Sequence, residues 1–187
     1  EPLEALLGTC DDSLTGLRDR AILLFAFSSG GRRRSEVAAA SMENTRREGD
    51  GFVFTLQHSK TNQTGAEQGD NDKPIAGRAA RALEAWLSTA KITAGPLFRR
   101  VRRGNVVAEP LSAAAVRDIV KKRCQLAGVE ASFSAHSLRS GFVTEAGRSG
   151  VPLGETMAMT GHRSTASVTG YFRHDQAAAR AARLLDQ

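Results

Sequence analysis

The chain has 187 residues, 41% of them apolar, which suits one globular domain with a real core. Lys and Arg number 26 against 20 Asp and Glu, for a formal charge of +6, and the pI near 10.0 points to a polyanionic partner. The longest apolar run, Ala21 to Phe27, is too short to cross a bilayer, and no signal peptide opens the chain, so an integral membrane protein is excluded and a cytoplasmic one expected. Cys10 and Cys124 are far apart and form no C-x-x-C pair; they are expected as reduced thiols, with no disulfide or metal site. The chain begins at Glu1 without Met, as expected of a piece of a longer protein.

In chain order, Leu3 to Leu7 predicts a short opening helix, and the polar cluster Thr9 to Ser13 can cap the next one. That helix runs to about Ser28, with Leu14, Leu17, Ala21, Leu24 and Phe25 at helical spacing and Arg18, Asp19 and Arg20 as its wet side. Ser29-Gly30-Gly31 breaks it. Arg32, Arg33 and Arg34 then open a second helix through Ala40, in a first turn where the helix dipole disfavours cations, so something anionic should compensate. From Met42 to Ile75 the apolar period becomes two: Phe52, Phe54 and Leu56 face one way, Gly49-Asp50-Gly51 makes a hairpin turn, and a short strand returns near Lys73-Pro74-Ile75. A small antiparallel sheet of two or three strands is expected, with a polar loop from Thr61 to Asp72.

Arg78 to Ala90 is an amphipathic helix with Leu83, Trp86 and Leu87 inward. Gly95 to Pro110 reads as a loop whose Arg99, Arg100, Arg102 and Arg103 suit phosphate contact. Ser112 caps a helix through Ala127, closed by Gly128, with Val116, Val120 and Cys124 inward and Arg117 and Lys121 outward, where they can ride on a DNA backbone. Ser134 caps a helix with Leu138, Phe142 and Ala146 inside, ended by Gly150-Val-Pro152, and a short helix carrying Met157 and Met159 as core filler follows. Asp175 can cap a last helix over 175–187 with Ala177, Ala181, Leu184 and Leu185 on one stripe, packing on its own domain or on a neighbour.

The chemistry concentrates between Ser134 and Arg173. His136 and Arg139 are three residues apart, hence on one helix face and able to reach the same phosphate. His162 and Tyr171, the only tyrosine, are nine apart, which an unbroken helix would put on opposite sides; Gly170 lets the chain bend. His136-x-x-Arg139, Gly161-His162 and Tyr171, in this order and spacing, resemble the tyrosine recombinase (phage integrase) family, and Gly31-Arg-Arg33-Arg-Ser-Glu36 resembles its first-arginine motif, G-x-R-x-x-E. Arg32 stands where the family usually has an apolar residue, so Arg32 or Arg34 competes with Arg33 as the phosphate ligand. Lys60 resembles the family's hairpin lysine, with Lys73 as competitor.

The resemblance implies an α+β, mainly α-helical catalytic domain over 1–187, without the family's upstream DNA-clamping domain, and a C-terminal helix that docks on a neighbouring protomer. It implies a site-specific DNA recombinase in a prokaryotic cytoplasm or nucleoid, encoded by a mobile element. Tyr171 would attack the scissile phosphodiester, leaving a 3' phosphotyrosine and a free 5' hydroxyl, and strands would exchange through a Holliday junction. Two guanidiniums, Arg33 and Arg139, would grip the non-bridging oxygens; losing one such donor costs about 3 kcal/mol. His136 and His162 would donate to the phosphate or move the tyrosine proton, in either assignment; Lys60 would protonate the leaving oxygen, and Glu36 would orient its neighbours. Arg32, Arg34, Arg117, Lys121 and Arg163 complete the candidate DNA contacts. The implied partners are double-stranded DNA and further copies of the chain, a tetramer on synapsed sites or a monomer for the isolated domain, with no membrane, metal or cofactor. The alternatives are a type IB topoisomerase, a DNA-binding module that has lost catalysis, and a metal-dependent phosphoesterase built on His136, His162 and His174.

Overall fold

A computed structural model of the chain describes residues 2–56, 71–130, 133–162 and 165–169. Lys60, Arg163, Gly170, Tyr171, His174 and the predicted helix over 175–187 lie outside the described residues. The architecture is α+β and mainly helical, as expected.

Helix α1 (Pro2–Gly8) leads to α2 (Leu14–Ser28), whose start is fixed by Ser13: its Oγ accepts from Gly16 N at 3.1 Å. The continuous run Ala21 to Ala26 is buried on every side, so α2 is the central helix of the core. Phe25 meets Phe54 and Phe98 edge-on, at ring-centroid distances of 5.1 and 5.4 Å.

Helix α3 (Arg34–Ala39) begins later than the three-arginine reading predicts. Arg33 is its N-cap in extended backbone and only Arg34 occupies the first turn, so the conflict with the helix dipole largely disappears. A 3₁₀ turn (Met42–Asn44) then leads into the predicted antiparallel sheet, with β1 (Thr45–Glu48), β2 (Gly51–Thr55) and β3 (Asp72–Ile75) in that order. Thr45 pairs with Phe54 and Phe54 with Lys73. Against the sheet and α2 lies α4 (Gly77–Ala90); its Trp86 is fully buried and donates Nε1–H to the Leu97 carbonyl at 2.7 Å.

The basic stretch after Gly95 is not a loop. It forms a hairpin, β4 (Arg99–Arg102) and β5 (Val106–Pro110), with Gly104 and Asn105 supplying the two positive-φ residues of the turn. Arg100 and Arg102 both pair with Glu109, at 3.5 and 3.0 Å, so part of the hairpin's charge is neutralised within it. Helix α5 (Ala113–Ala127) has the predicted Ser112 cap and left-handed Gly128. Helix α6 (Ala135–Arg148) follows Ser134, and α7 (Leu153–Thr160) follows Pro152 and ends at left-handed Gly161. Met157 and Met159 are only half-buried; Thr156 and Thr160 are the buried positions of α7. A single turn, α8 (Ala166–Thr169), is described after it. Cys10 and Cys124 are buried free thiols. Among the described residues no helix is long and apolar enough to cross a membrane.

Arg18 and Asp19 are not on a wet side of α2. Asp19 is 2% exposed, with one carboxylate oxygen facing Arg18 at 2.8 Å and the other facing Arg123 of α5 at 2.7 Å. The arginines spend further donors on backbone carbonyls, Arg123 on Thr9 at 2.6 Å and Arg18 on Arg99 at 3.3 Å. One carboxylate therefore joins α2, β4, α5 and the turn that follows α1. Asp19→Ala strands two buried guanidiniums and should lower the free energy of unfolding by about 3–5 kcal/mol in urea titration; a loss under about 1 kcal/mol would show the network to be incidental.

Candidate active site

The site starts where α2 stops. Ser29 Oγ donates to the Phe25 carbonyl at 2.6 Å, Gly30 N to Phe27 at 3.0 Å and Arg32 N to Ala26 at 2.8 Å, which winds the chain back tightly over the helix end. Gly30 and Gly31 take φ of 96° and 77°, a region open to glycine. They are also pressed against two other segments. A Cβ on Gly31 would sit 2.2 Å from Arg139 Cα of α6, and one on Gly30 would sit 2.2 Å from the Met159 carbonyl oxygen of α7. The glycine pair thus sets the distance between the first-arginine segment and both histidine-bearing segments.

The three arginines after it have different surroundings. Arg32 is 2% exposed; its Nη1 lies 3.2 Å from Glu36 Oε2 and its Nη2 donates to the Met159 carbonyl at 2.7 Å. Burial, with Arg139 and Arg33 adding to it against the pull of Glu36, pushes its pKa down to about 10, so it remains charged at neutral pH. Arg33 has a half-exposed side chain with Nε 4.0 Å from Glu36 Oε1. Arg34 is exposed at the start of α3. Glu36, itself mostly buried, lies between Arg32 and Arg33.

Arg139 is half-buried on α6, and among the described residues its guanidinium has no hydrogen-bond or ion-pair partner. Burial first, and then the charge of Arg33, hold its pKa below the usual arginine range, against the opposing effect of Glu36. His136, on the same helix, is exposed. His162 follows the left-handed Gly161 and its Nδ1 lies 2.7 Å from Thr160 Oγ1, which leaves Nε2 as the ring nitrogen to meet a ligand. Burial, then Arg139, then His136, hold its pKa below the ordinary 6.5. Arg139 is therefore within electrostatic reach of Arg33, Glu36 and His162, and His162 of His136, so cations from three segments gather near one carboxylate.

Of the remaining predicted residues, Arg117 and Lys121 are exposed on α5, Arg117 lying 3.3 Å from Asp118. Lys73 is 1% exposed in β3 and donates from Nζ to the Ala158 carbonyl of α7. Sequence reasoning missed Thr160, whose only signal is its place two residues before His162, and the packing role of the glycine pair, which reads equally well as a simple helix breaker. Among the described residues no group of three or more His, Cys, Asp or Glu is placed to hold a metal ion.

The sequence pattern of the Phage integrase family matches residues 1–178. The chain belongs to that family, the tyrosine recombinases. It is similar to an integrase/recombinase xerD homolog of Selenomonas ruminantium, with 37% identity over 169 residues covering 87% of this chain and 49% of that protein. Tyrosine recombinase XerC of Syntrophus aciditrophicus (strain SB) is 27% identical over 170 residues, 86% of this chain and 50% of that one. The chain thus spans about half the length of the curated relatives it matches. Its fold is that of solved recombinases: XerA recombinase (TM-score 0.69, 17% identity, 100% of this chain and 63% of that one) and the XerH site-specific recombinase bound to difH in a pre-cleavage complex (TM-score 0.69, 18% identity, 99% and 52%). The Tn1549 transposon integrase in complex with transposon right end DNA also has it (TM-score 0.71, 16% identity, 97% and 64%).

Two outcomes follow from this geometry. Gly31→Ala places a Cβ into α6 as well as forcing a left-handed alanine, whereas Gly128→Ala carries only the backbone term, since nothing lies within 4 Å of a Cβ there. Gly128→Ala should cost about 1 kcal/mol and Gly31→Ala at least about 2 kcal/mol more in urea unfolding; equal losses would remove the packing argument. For His162, a folded pKa below 6.5 means that the unfolded chain takes up the proton first. Its contribution to stability is therefore complete above pH 6.5 and is lost as pH falls through the folded value. Imidazole NMR should give a His162 midpoint below 6.5, and His162→Gln should flatten the acid side of the stability profile.

Proposed function

We propose that this chain is the catalytic part of a site-specific DNA recombinase that breaks and rejoins strands through Tyr171. The observation that carries the reading is Arg139: a half-buried guanidinium with no partner among the described residues, within electrostatic reach of Arg33 and of His162, which in turn feels His136. A phosphodiester supplies the anion that this cluster lacks.

The Tyr171 oxygen attacks phosphorus, the bond to the 5' oxygen breaks, and a 3' phosphotyrosine with a free 5' hydroxyl results. Negative charge grows on the non-bridging oxygens, where Arg33 and Arg139 stabilise it as always-charged, bidentate donors. Arg33 suits this role better than Arg32, whose two terminal nitrogens are engaged by Glu36 and the Met159 carbonyl, and better than Arg34, which is exposed at the start of the next helix. A tyrosine with a pKa near 10 is about one part in a thousand ionised at neutral pH, so its proton must pass to a base. His162, held largely neutral, and His136 are the two candidates. Lys60 returns a proton to the leaving 5' oxygen; Lys73, buried on the Ala158 carbonyl, suits that task less well. Because the phosphotyrosine retains the energy of the broken bond, another 5' hydroxyl can reseal the strand, which is what exchange between two duplexes through a Holliday junction requires. Double-stranded DNA and further copies of the chain are the partners of this reading, and Arg34, Arg117, Lys121 and Arg163 its phosphate contacts; the compartment is the cytoplasm.

A nicked suicide duplex carrying the native recombination site tests the proposal. Wild-type protein should form a denaturation-resistant adduct with DNA and Tyr171→Phe none, while Arg139→Ala and Arg33→Ala should slow adduct formation roughly a hundredfold or more. An adduct that persists in Tyr171→Phe would displace Tyr171 as nucleophile.

A further inference from the structure

The last turn of α7 is held from below by two buried cations of different origin. Lys73 of β3 donates to the Ala158 carbonyl, and Arg32, between the glycine pair and α3, donates to the next carbonyl, that of Met159. These are among the carbonyls that a helix end leaves without intrahelical partners, and the helix dipole favours cations there. Two residues past Met159 the chain turns at Gly161, with φ of 77°, and delivers His162, which is further tied back to α7 through Thr160.

Arg32 differs from an ordinary helix-capping cation in where its other arm goes. Its second nitrogen is on Glu36, which also faces Arg33. The guanidinium therefore bridges the segment that presents Arg33 and the segment that presents His162. The bridge is energetically expensive: the side chain is 2% exposed, and Nε–H is buried without a partner among the described residues, so its lost hydration is not repaid. An apolar side chain of similar volume would fill the same space without that penalty.

We propose that Arg32 is a positioning residue, not a phosphate ligand: its buried guanidinium clamps the Met159 carbonyl of α7 to Glu36 and so fixes His162 relative to Arg33 and Arg139. As far as it concerns catalysis, the inference rests on the recombinase reading above. A displacement of reacting groups by about 1 Å can cost a hundredfold in rate.

The test uses Arg32→Met, which keeps length and volume but cannot donate, and Arg32→Lys, which keeps the charge but cannot bridge two acceptors in a fixed fork. Three readouts are compared with wild type: DNA affinity, single-turnover cleavage of a suicide duplex at saturating DNA, and the His162 imidazole titration without DNA. Arg32→Met should bind DNA with unchanged Kd, cleave roughly ten- to a hundredfold more slowly, and titrate His162 closer to 6.5, because its ring leaves cover and moves away from Arg139. Arg32→Lys should fall between Met and wild type in both cleavage and titration. Should Arg32→Met fail to fold, Arg32→Lys carries the test, and wild-type behaviour in both readouts overturns the proposal. Weakened DNA binding with an unchanged cleavage rate at saturation would make Arg32 a phosphate ligand and also overturn it. If wild type itself forms no adduct, the recombinase reading fails, and the His162 titration still decides the clamp: an unchanged midpoint in Arg32→Met rejects it.

Discussion

Two glycine Cα atoms lie so close to α6 and α7 that a side chain on either would overlap backbone. This is the constraint on which the candidate site depends. Arg33, Arg139 and His162 are distant in sequence and belong to three segments, and a phosphate can be gripped by all of them only if those segments are held at fixed separations. The Gly30-Gly31 turn does this by direct backbone contact, which has no rotamers to relax. Its own position is set by hydrogen bonds back onto the last turn of α2, the helix whose whole circumference is buried. The geometry of the site is thus an extension of the core.

Electrostatics runs against this compactness. Bringing Arg32, Arg33 and Arg139 around one Glu36 gathers more positive than negative charge in a partly buried volume, and two of the guanidiniums are held below their usual pKa range, chiefly by burial. The free chain bears that repulsion. A bound phosphate would relieve it, and the relief would be greatest in a transition state that carries more negative charge on the non-bridging oxygens than the ground state does. On the proposed reading, the same excess that destabilises the free site would favour the reaction over mere binding.

Much of this was legible in the sequence, for identifiable reasons. Helix caps at Ser13 and Ser112, the Gly49-Asp50 turn and the period-two run through Phe54 are local signals, and the corresponding elements formed where they were expected. His136 and Arg139 also lie on one helix, α6, as their spacing predicted. Three of the misreadings share one cause, a charge taken as a mark of solvent. Arg18 and Asp19 looked exposed because their partner Arg123 is 104 positions away in sequence and invisible to a local pattern. Arg99 to Arg103 looked like a loop because the basic residues masked an alternation around Gly104-Asn105, the dipeptide that makes a tight hairpin. Arg32 to Arg34 looked like one basic helical turn, whereas the helix starts at the third of them and each arginine has its own environment.

The two arginine networks also differ in a way that separates structure from function. In the first, Asp19 gives one oxygen to each of two arginines, and their remaining donors reach the backbone carbonyls of Thr9 and Arg99. That network is buried and closed; nothing could be added to it without breaking it. In the second, Glu36 shares itself unequally, 3.2 Å from Arg32 and 4.0 Å from Arg33, and Arg139 has no partner among the described residues. A partly buried cation left open is costly wherever it stands, and the incomplete second network is the one that the proposed phosphate would complete. Arg32 belongs to both descriptions: it sits in the open network but is bonded as the closed one is, to a carboxylate and a backbone carbonyl. Its place is at the join between the rigid frame and the groups that would meet DNA.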